Sequence, residues 1–208
     1  AVTLFINPAD AMQSGCADWK IEEDETSPTG SHFLALNKNT EEPVDPVQAL
    51  VFKFDIKKAG KYYPYAYVNC NGSTKDAVWI AIDDAVPGKS NGATTKGAWA
   101  WKSLYNLLDT EGKQAFKVNL DEGTHTLSVY TKEAGYKLGF VCISNLDLLN
   151  DFNDAVADMD LNHLFDENGV NAIVVEGDDA PVYDIFGRKV DSSYKGIAIK
   201  NGKKDIIK

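Results

Sequence analysis

Seven residues at 50–56, L-V-F-K-F-D-I, place Leu50, Phe52, Phe54 and Ile56 on one side and Lys53 and Asp55 on the other. That period of two belongs to a strand with one dry face and one wet face. It recurs at 78–83, where Val78, Ile80 and Ile82 oppose Trp79, Ala81 and Asp83, and again at 116–120, with further strand-like runs at 124–131 and 137–144. Turn residues separate the runs: Lys58-Ala59-Gly60-Lys61, Asp121-Glu122-Gly123 and Glu133-Ala134-Gly135. Many short strands punctuated this way predict an all-β fold, an antiparallel β-sandwich of the jelly-roll kind. Earlier in the chain a strand is expected at 1–7, closed by Pro8, and another at 31–36. Between them, 12–20 reads as irregular with Trp19 its one bulky anchor, followed by an acidic run at 22–25 and the turn Ser27-Pro28-Thr29-Gly30. No helix is required before residue 145.

The chain has 208 residues, enough for one large domain or for about 150 residues of domain with a small appendage. Its net charge of −10 argues against a nucleic-acid partner, whose footprint would be basic. No apolar run reaches the roughly 18–20 residues of a transmembrane helix. The chain opens on Ala1 without a Met, as a processed protein or an excised fragment would.

The charges are unevenly spread. Residues 147–179 hold ten acids and no Lys or Arg, whereas 188–208 hold seven bases against two acids. The switch suggests three segments: a sandwich at 1–146, an acidic linker at 147–179 and a small β tail at 180–208. Leu149, Phe152, Val156 and Met159 recur at helical spacing, so one short helix is expected in the linker. Strands are expected at 172–175, 182–186, 197–200 and 205–207.

Catalytic signatures are missing. Three cysteines, Cys16, Cys70 and Cys142, lack the C-x-x-C spacing of a redox or Cys₄ zinc site, and Cys70 and Cys142 read as buried small hydrophobes. One disulfide among them remains open. His32, His125 and His163 lie far apart, without ligand-like spacing. Asp158-x-Asp160-x-Asn162 starts like a calcium loop but has His163 at its sixth position and Gly169 at its twelfth. Asp83-Asp84 sits at a strand end, where neighbouring side chains diverge too far for a glycosidase pair. No nucleophile elbow, P-loop or dinucleotide fingerprint occurs.

The stretch 78–101 points instead to binding. A strand feeds the polar loop A-V-P-G-K-S-N-G-A-T-T-K-G, which ends at Trp99 and Trp101. Sugar rings pack their C–H faces on aromatic side chains while hydroxyls bond to amides, carboxylates and lysines. Trp99 is the expected platform, with Trp101 on the same face if the segment is extended. Tyr136, Lys137, Asp83 and Asn71 complete the candidate site. Burial in the core is the competing role for the aromatics. The Tyr-rich strand at 62–70 reads as structural.

Residues 50–144 also carry a resemblance. The series F-D-I-K-K-A-G-K-Y-Y-P-Y-A-Y-V-N, V-W-I-A-I-D-D, W-A-W, F-K-V-N-L-D-E-G-T-H-T-L-S-V-Y and A-G-Y-K-L-G-F-V-C-I-S resembles the family 6 and family 35 carbohydrate-binding modules. The resemblance implies a jelly roll, a glycan or polysaccharide partner and no catalysis. It also implies a structural calcium held by an acidic pair near the start and an Asp in the last strand. Here the start reads L-F-I-N-P-A-D and Gly139 fills the last-strand position, so no cofactor is expected. The family's sugar-contacting Asn is replaced by Tyr136 or Lys137.

From Val182, V-Y-D-I-F-G-R-K-V and K-G-I-A-I-K-N-G-K-K-D-I-I-K resemble the C-terminal sorting domain of type IX secretion. That resemblance implies an extracellular or outer-surface place on a Gram-negative envelope; a larger glycan-degrading or glycan-binding assembly is a separate expected partner. The alternative function is a structural or adhesive sandwich that spaces partners and binds no sugar.

Overall fold

The computed structural model describes residues 3–104 and 118–146, and the backbone of short strands at 107–108, 114–115, 182–184, 189–190, 196–200 and 203–207. The strands of the first part are β1 (Thr3–Ile6), β2 (Trp19–Glu23), β3 (Ser31–Ala35), β4 (Leu50–Ile56), β5 (Gly60–Val68), β6 (Val78–Ile82), β7 (Gly88–Ser90), β8 (Ala100–Ser103), β9 (Leu107–Leu108), β10 (Gln114–Ala115), β11 (Val118–Leu120), β12 (Gly123–Thr131) and β13 (Lys137–Ser144). All their pairings are antiparallel. The only helical element among the described residues is a 3₁₀ turn, Pro46–Gln48.

Two sheets face each other. One runs β11-β5-β13-β3-β2, with β1 beside β13 and β8 beside β5; the other runs β4-β12-β6-β7. Their inner faces merge in one core. Leu50, Phe52, Phe54, Ile56, Val78, Ile80, Leu127 and Val129 meet Leu4, Ile6, Trp19, Phe33, Ala66, Val68, Leu138, Val141 and Ile143 there. The alternation in β4 and β6 therefore does what its period of two requires, and the all-β sandwich is the fold.

Two details differ from the sequence reading, and the cysteines agree with it. Residues 19–23 form strand β2 on the sheet edge rather than an irregular approach: Trp19 is buried, but Ile21 is 54% exposed and Lys20, Glu22 and Glu23 are charged, which blurs the alternation. Within the polar loop, β7 pairs back along β6, with Val78 opposite Ser90, and so reverses the chain. Cys16, Cys70 and Cys142 are all free thiols; Cys70 and Cys142 are buried. Burial pushes the Cys70 thiol up to about 12.

In the tail, β14 (Val182–Asp184), β15 (Lys189–Val190), β16 (Gly196–Lys200) and β17 (Lys203–Ile207) form a four-stranded antiparallel sheet in the order β15-β14-β16-β17. The expected helix at 149–159 and the strand at 172–175 lie outside the described residues.

Candidate functional site at the loop end and outer face

Strand order decides which loops are neighbours. Val68 pairs with both Leu138 and Ala100, so the loop after β5, the loop before β8 and the turn before β13 gather at one end of the sandwich. Cross-bonds hold them together. Thr95 N–H donates to Cys70 O at 2.8 Å, and Cys70 N–H donates to Thr95 Oγ1 at 3.0 Å. Glu133 Oε2 accepts the N–H groups of Asp76 (2.8 Å) and Ala77 (3.1 Å), tying the 69–77 loop to the turn before β13.

Between these loops lies an open cleft of about 320 Å³ lined by Asn69, Asn71, Lys75, Gly97, Gly135 and Lys137. Gly135 has φ +88°, and a Cβ there would lie 3.1 Å from Lys75 Cδ, so the lysine stem rests directly on the glycine backbone. This close approach holds the ammonium end of Lys75 at the cleft. The lining combines two amides and two cations, all suited to hydroxyl or anionic oxygen acceptors.

Trp99 stands next to this cleft in the chain, two residues after Gly97, and leans on the outer face of the larger sheet. Its indole lies nearly parallel to Tyr67, with centroids 5.6 Å apart and planes at 12°. Its Nε1–H donates to Thr26 Oγ1 at 3.0 Å. Beneath it is Gly139, where a Cβ would meet Trp99 Cζ3 and Tyr67 O, each at 3.2 Å. The register of β13 against β5 shifts between Leu138 and Phe140, a bulge that helps Leu138 and Val141 both reach the core. The ring is only partly covered.

Four further side chains enter from the β2–β3 hairpin, two from its strands and two from its turn. His32 is 4% exposed and lies 5.8 Å from the Trp99 ring. Its Nε2 faces Glu22 Oε2 and its Nδ1 faces Asp24 Oδ2, each at 3.3 Å. Burial lowers the imidazole below its ordinary value and Lys137 adds to this, while Asp24 and Glu22 pull the other way. Hydrogen bonding from Thr26 holds the Asp24 carboxyl below the usual range.

Of the six residues expected from sequence, Asn71 and Lys137 meet in the cleft, and Trp99, two residues along the chain from its lining residue Gly97, is partly exposed. The other three lie elsewhere. Trp101 is 3% exposed, packed on Phe5, Tyr67 and Phe140, and belongs to a buried aromatic layer. Both indoles touch Tyr67, so they do share a face; coverage, not direction, separates them. Tyr136 is 1% exposed because its side chain alternates inward into the core while Lys137 turns outward. Asp83 sits at the opposite end of β6, its φ +50°, its carboxylate accepting from Thr126 N–H (2.9 Å) and pairing with His125 Nδ1 (2.8 Å). It is a turn residue. The residues that sequence reasoning missed are Tyr67, Asn69, Lys75, His32, Asp24 and Thr26.

The implied calcium does not fit these residues. The position that should carry an Asp is Gly139, and the Trp99 ring and Tyr67 carbonyl occupy the space of any side chain there. No cluster of three or more His, Cys, Asp or Glu side chains suited to a metal occurs among the described residues. No helix among them is long and apolar enough to cross a membrane.

No family model matches the chain, and no curated protein does. Among solved structures it is similar to a family 35 carbohydrate-binding module from Clostridium thermocellum, at 11% identity and TM-score 0.46, over 67% of this chain and 97% of that one. The family 35 module from Cellvibrio japonicus is 18% identical with TM-score 0.46, over 69% and 93%. An exo-β-1,3-galactanase from Phanerochaete chrysosporium is 13% identical with TM-score 0.46 over 64% of this chain, which spans only 27% of that enzyme.

Proposed function

We propose that the chain is a noncatalytic carbohydrate-binding module whose glycan rests on Trp99 and reaches the cleft of Asn69, Asn71, Lys75 and Lys137. The observation that carries this reading is the state of Trp99. A large aromatic is held against Tyr67 and Gly139, tied at Nε1 to Thr26, and left partly open beside convergent amides and ammoniums. Such a ring loses little freedom on binding, and its polar neighbours select for hydroxyl-bearing ligands.

The reading extends to place and context. Residues 1–146 form the module, 147–179 link it to a tail at 180–208, and the tail addresses the protein to the outside of a Gram-negative cell, in a larger glycan-handling assembly. Support for that part is the G-R-K-V and G-I-A-I-K-N-G-K-K series, which lies on β15 to β17 and their connections.

A glycan array probed with the full chain, with and without EDTA, tests the function. Specific binding that EDTA leaves unchanged is expected, and Trp99→Ala should abolish it while circular dichroism stays native. Silence across plant, algal and host glycans would transfer the sandwich to a structural role.

A further inference from the structure

Thr26 connects two features of the outer face. Its Oγ1 accepts from Trp99 Nε1 at 3.0 Å and donates to Asp24 Oδ1, which also accepts the Thr26 N–H at 2.9 Å. The other oxygen of Asp24 faces His32 Nδ1, and Glu22 faces His32 Nε2. A chain of contacts thus runs from the buried imidazole through Asp24 and Thr26 to the indole that the proposed glycan would touch. His32 and Trp99 are also in ring contact.

A histidine with a carboxylate at each nitrogen has two unequal states. As imidazolium, each ring nitrogen carries its charge 3.3 Å from a carboxylate oxygen, an ion-pair contact without hydrogen-bond geometry. As neutral imidazole, one nitrogen turns a lone pair on a carboxylate at 3.3 Å, in a site 4% exposed. Glu22 has a second partner in Lys20 Nζ at 2.6 Å, and Asp24 has Thr26. The charged groups around the ring are therefore Lys20 and Glu22 on β2, Asp24 on the following turn and Lys137 on β13.

We propose that His32 is a positioning residue for Trp99: its proton fixes Asp24 and Thr26, and through them the place of the indole. The protonated state is the one that holds the ring, so glycan affinity rises on acidification. That last consequence rests on the sugar-binding reading; the link between His32 and Trp99 does not. Glu22 and Asp24 are both held below the usual carboxylate range, Glu22 by Lys20 and Asp24 by Thr26.

The test follows the indole N–H resonance of Trp99 and the imidazole signals of His32 by NMR in the full chain, from about pH 4.5 to 8. Trp99→Phe assigns the indole signal by its disappearance. The Trp99 signal is expected to follow the His32 titration, with a midpoint on the acid side of the ordinary histidine range. In Thr26→Val, His32 should still titrate and Trp99 should cease to follow. In His32→Gln the Trp99 signal should be flat with pH, and in Asp24→Asn the midpoint should move to lower pH, which keeps the test if His32→Gln fails to fold. A Trp99 signal that is flat in the native chain, or that titrates unchanged in Thr26→Val, overturns the link. For a glycan found by array, affinity should rise about fivefold on acidification and lose that dependence in Thr26→Val. Titration of Trp99 in a chain that binds no glycan on the array supports the positioning role and sinks only the sugar reading.

Discussion

At Gly139 the lack of a single carbon makes room for the Trp99 ring. The other contact at that point is the Tyr67 backbone carbonyl, which cannot swing aside as a side chain would. Gly139→Ala is therefore expected to destabilise the fold by about 1–3 kcal/mol and to disturb Trp99, seen in urea unfolding and in the indole resonance. Asp83 and His125 offer a pH-dependent check on a residue removed from the proposed binding site. The hydrogen bond to Asp83 raises His125 above its ordinary value, against a smaller opposing effect of burial. Burial draws Asp83 up, but the hydrogen bonds from His125 and Thr126 together outweigh it and leave the carboxyl low. The histidine's share of stability is complete below about pH 6.5 and fades as pH rises through its raised folded value. The aspartate's share is present above about pH 3.9 and fades as acid titrates the folded carboxyl. Asp83→Asn should thus lower Tm most between about pH 4 and 6.5, by no more than about 1 kcal/mol in stability given the exposure of the pair. Glycan binding should be untouched, because Asp83 lies at the far end of β6.

Among the elements, β12 has the most central place in its sheet, pairing with β4 over Gly123–Val129 and with β6 over Leu127–Thr131. Leu127 sits where both ladders overlap and is fully buried. Leu127→Ala is expected to cost about 2–5 kcal/mol, measured as a lower urea midpoint with an unchanged slope. The hairpin of β2 and β3 plays a different part: it is the edge that carries Glu22, Asp24, Thr26 and His32 to the Trp99 ring. Its importance was not legible from sequence. Trp19 and Ile21 point the same way, but the strand lies at the sheet edge and Ile21 stays exposed, so no clear alternation marks it. By contrast β4 displays its inward face in the bare sequence, since both of its sides have fixed and opposite surroundings.

For the whole molecule, a chain cut to residues 1–146 is expected to unfold in one cooperative transition and to keep the glycan binding of the full chain. The two facing sheets share one continuous core within that span. Two transitions, or lost binding, in scanning calorimetry and array experiments would move the domain boundary. The sequence by itself determined the strand periods, the turns between them and hence an antiparallel sandwich, because alternation and turn chemistry are local properties. It also singled out six candidate site residues: Trp99, Trp101, Tyr136, Lys137, Asp83 and Asn71. Only the tertiary structure decided which of the chosen residues meet. β7 folds the polar loop back along β6, which carries Trp99 to one end of the sandwich and leaves Asp83 at the other. Coverage by Phe5, Tyr67 and Phe140 buried Trp101, while the same face left Trp99 partly open. Burial and long-range pairing depend on what packs from distant strands, and no local pattern records that.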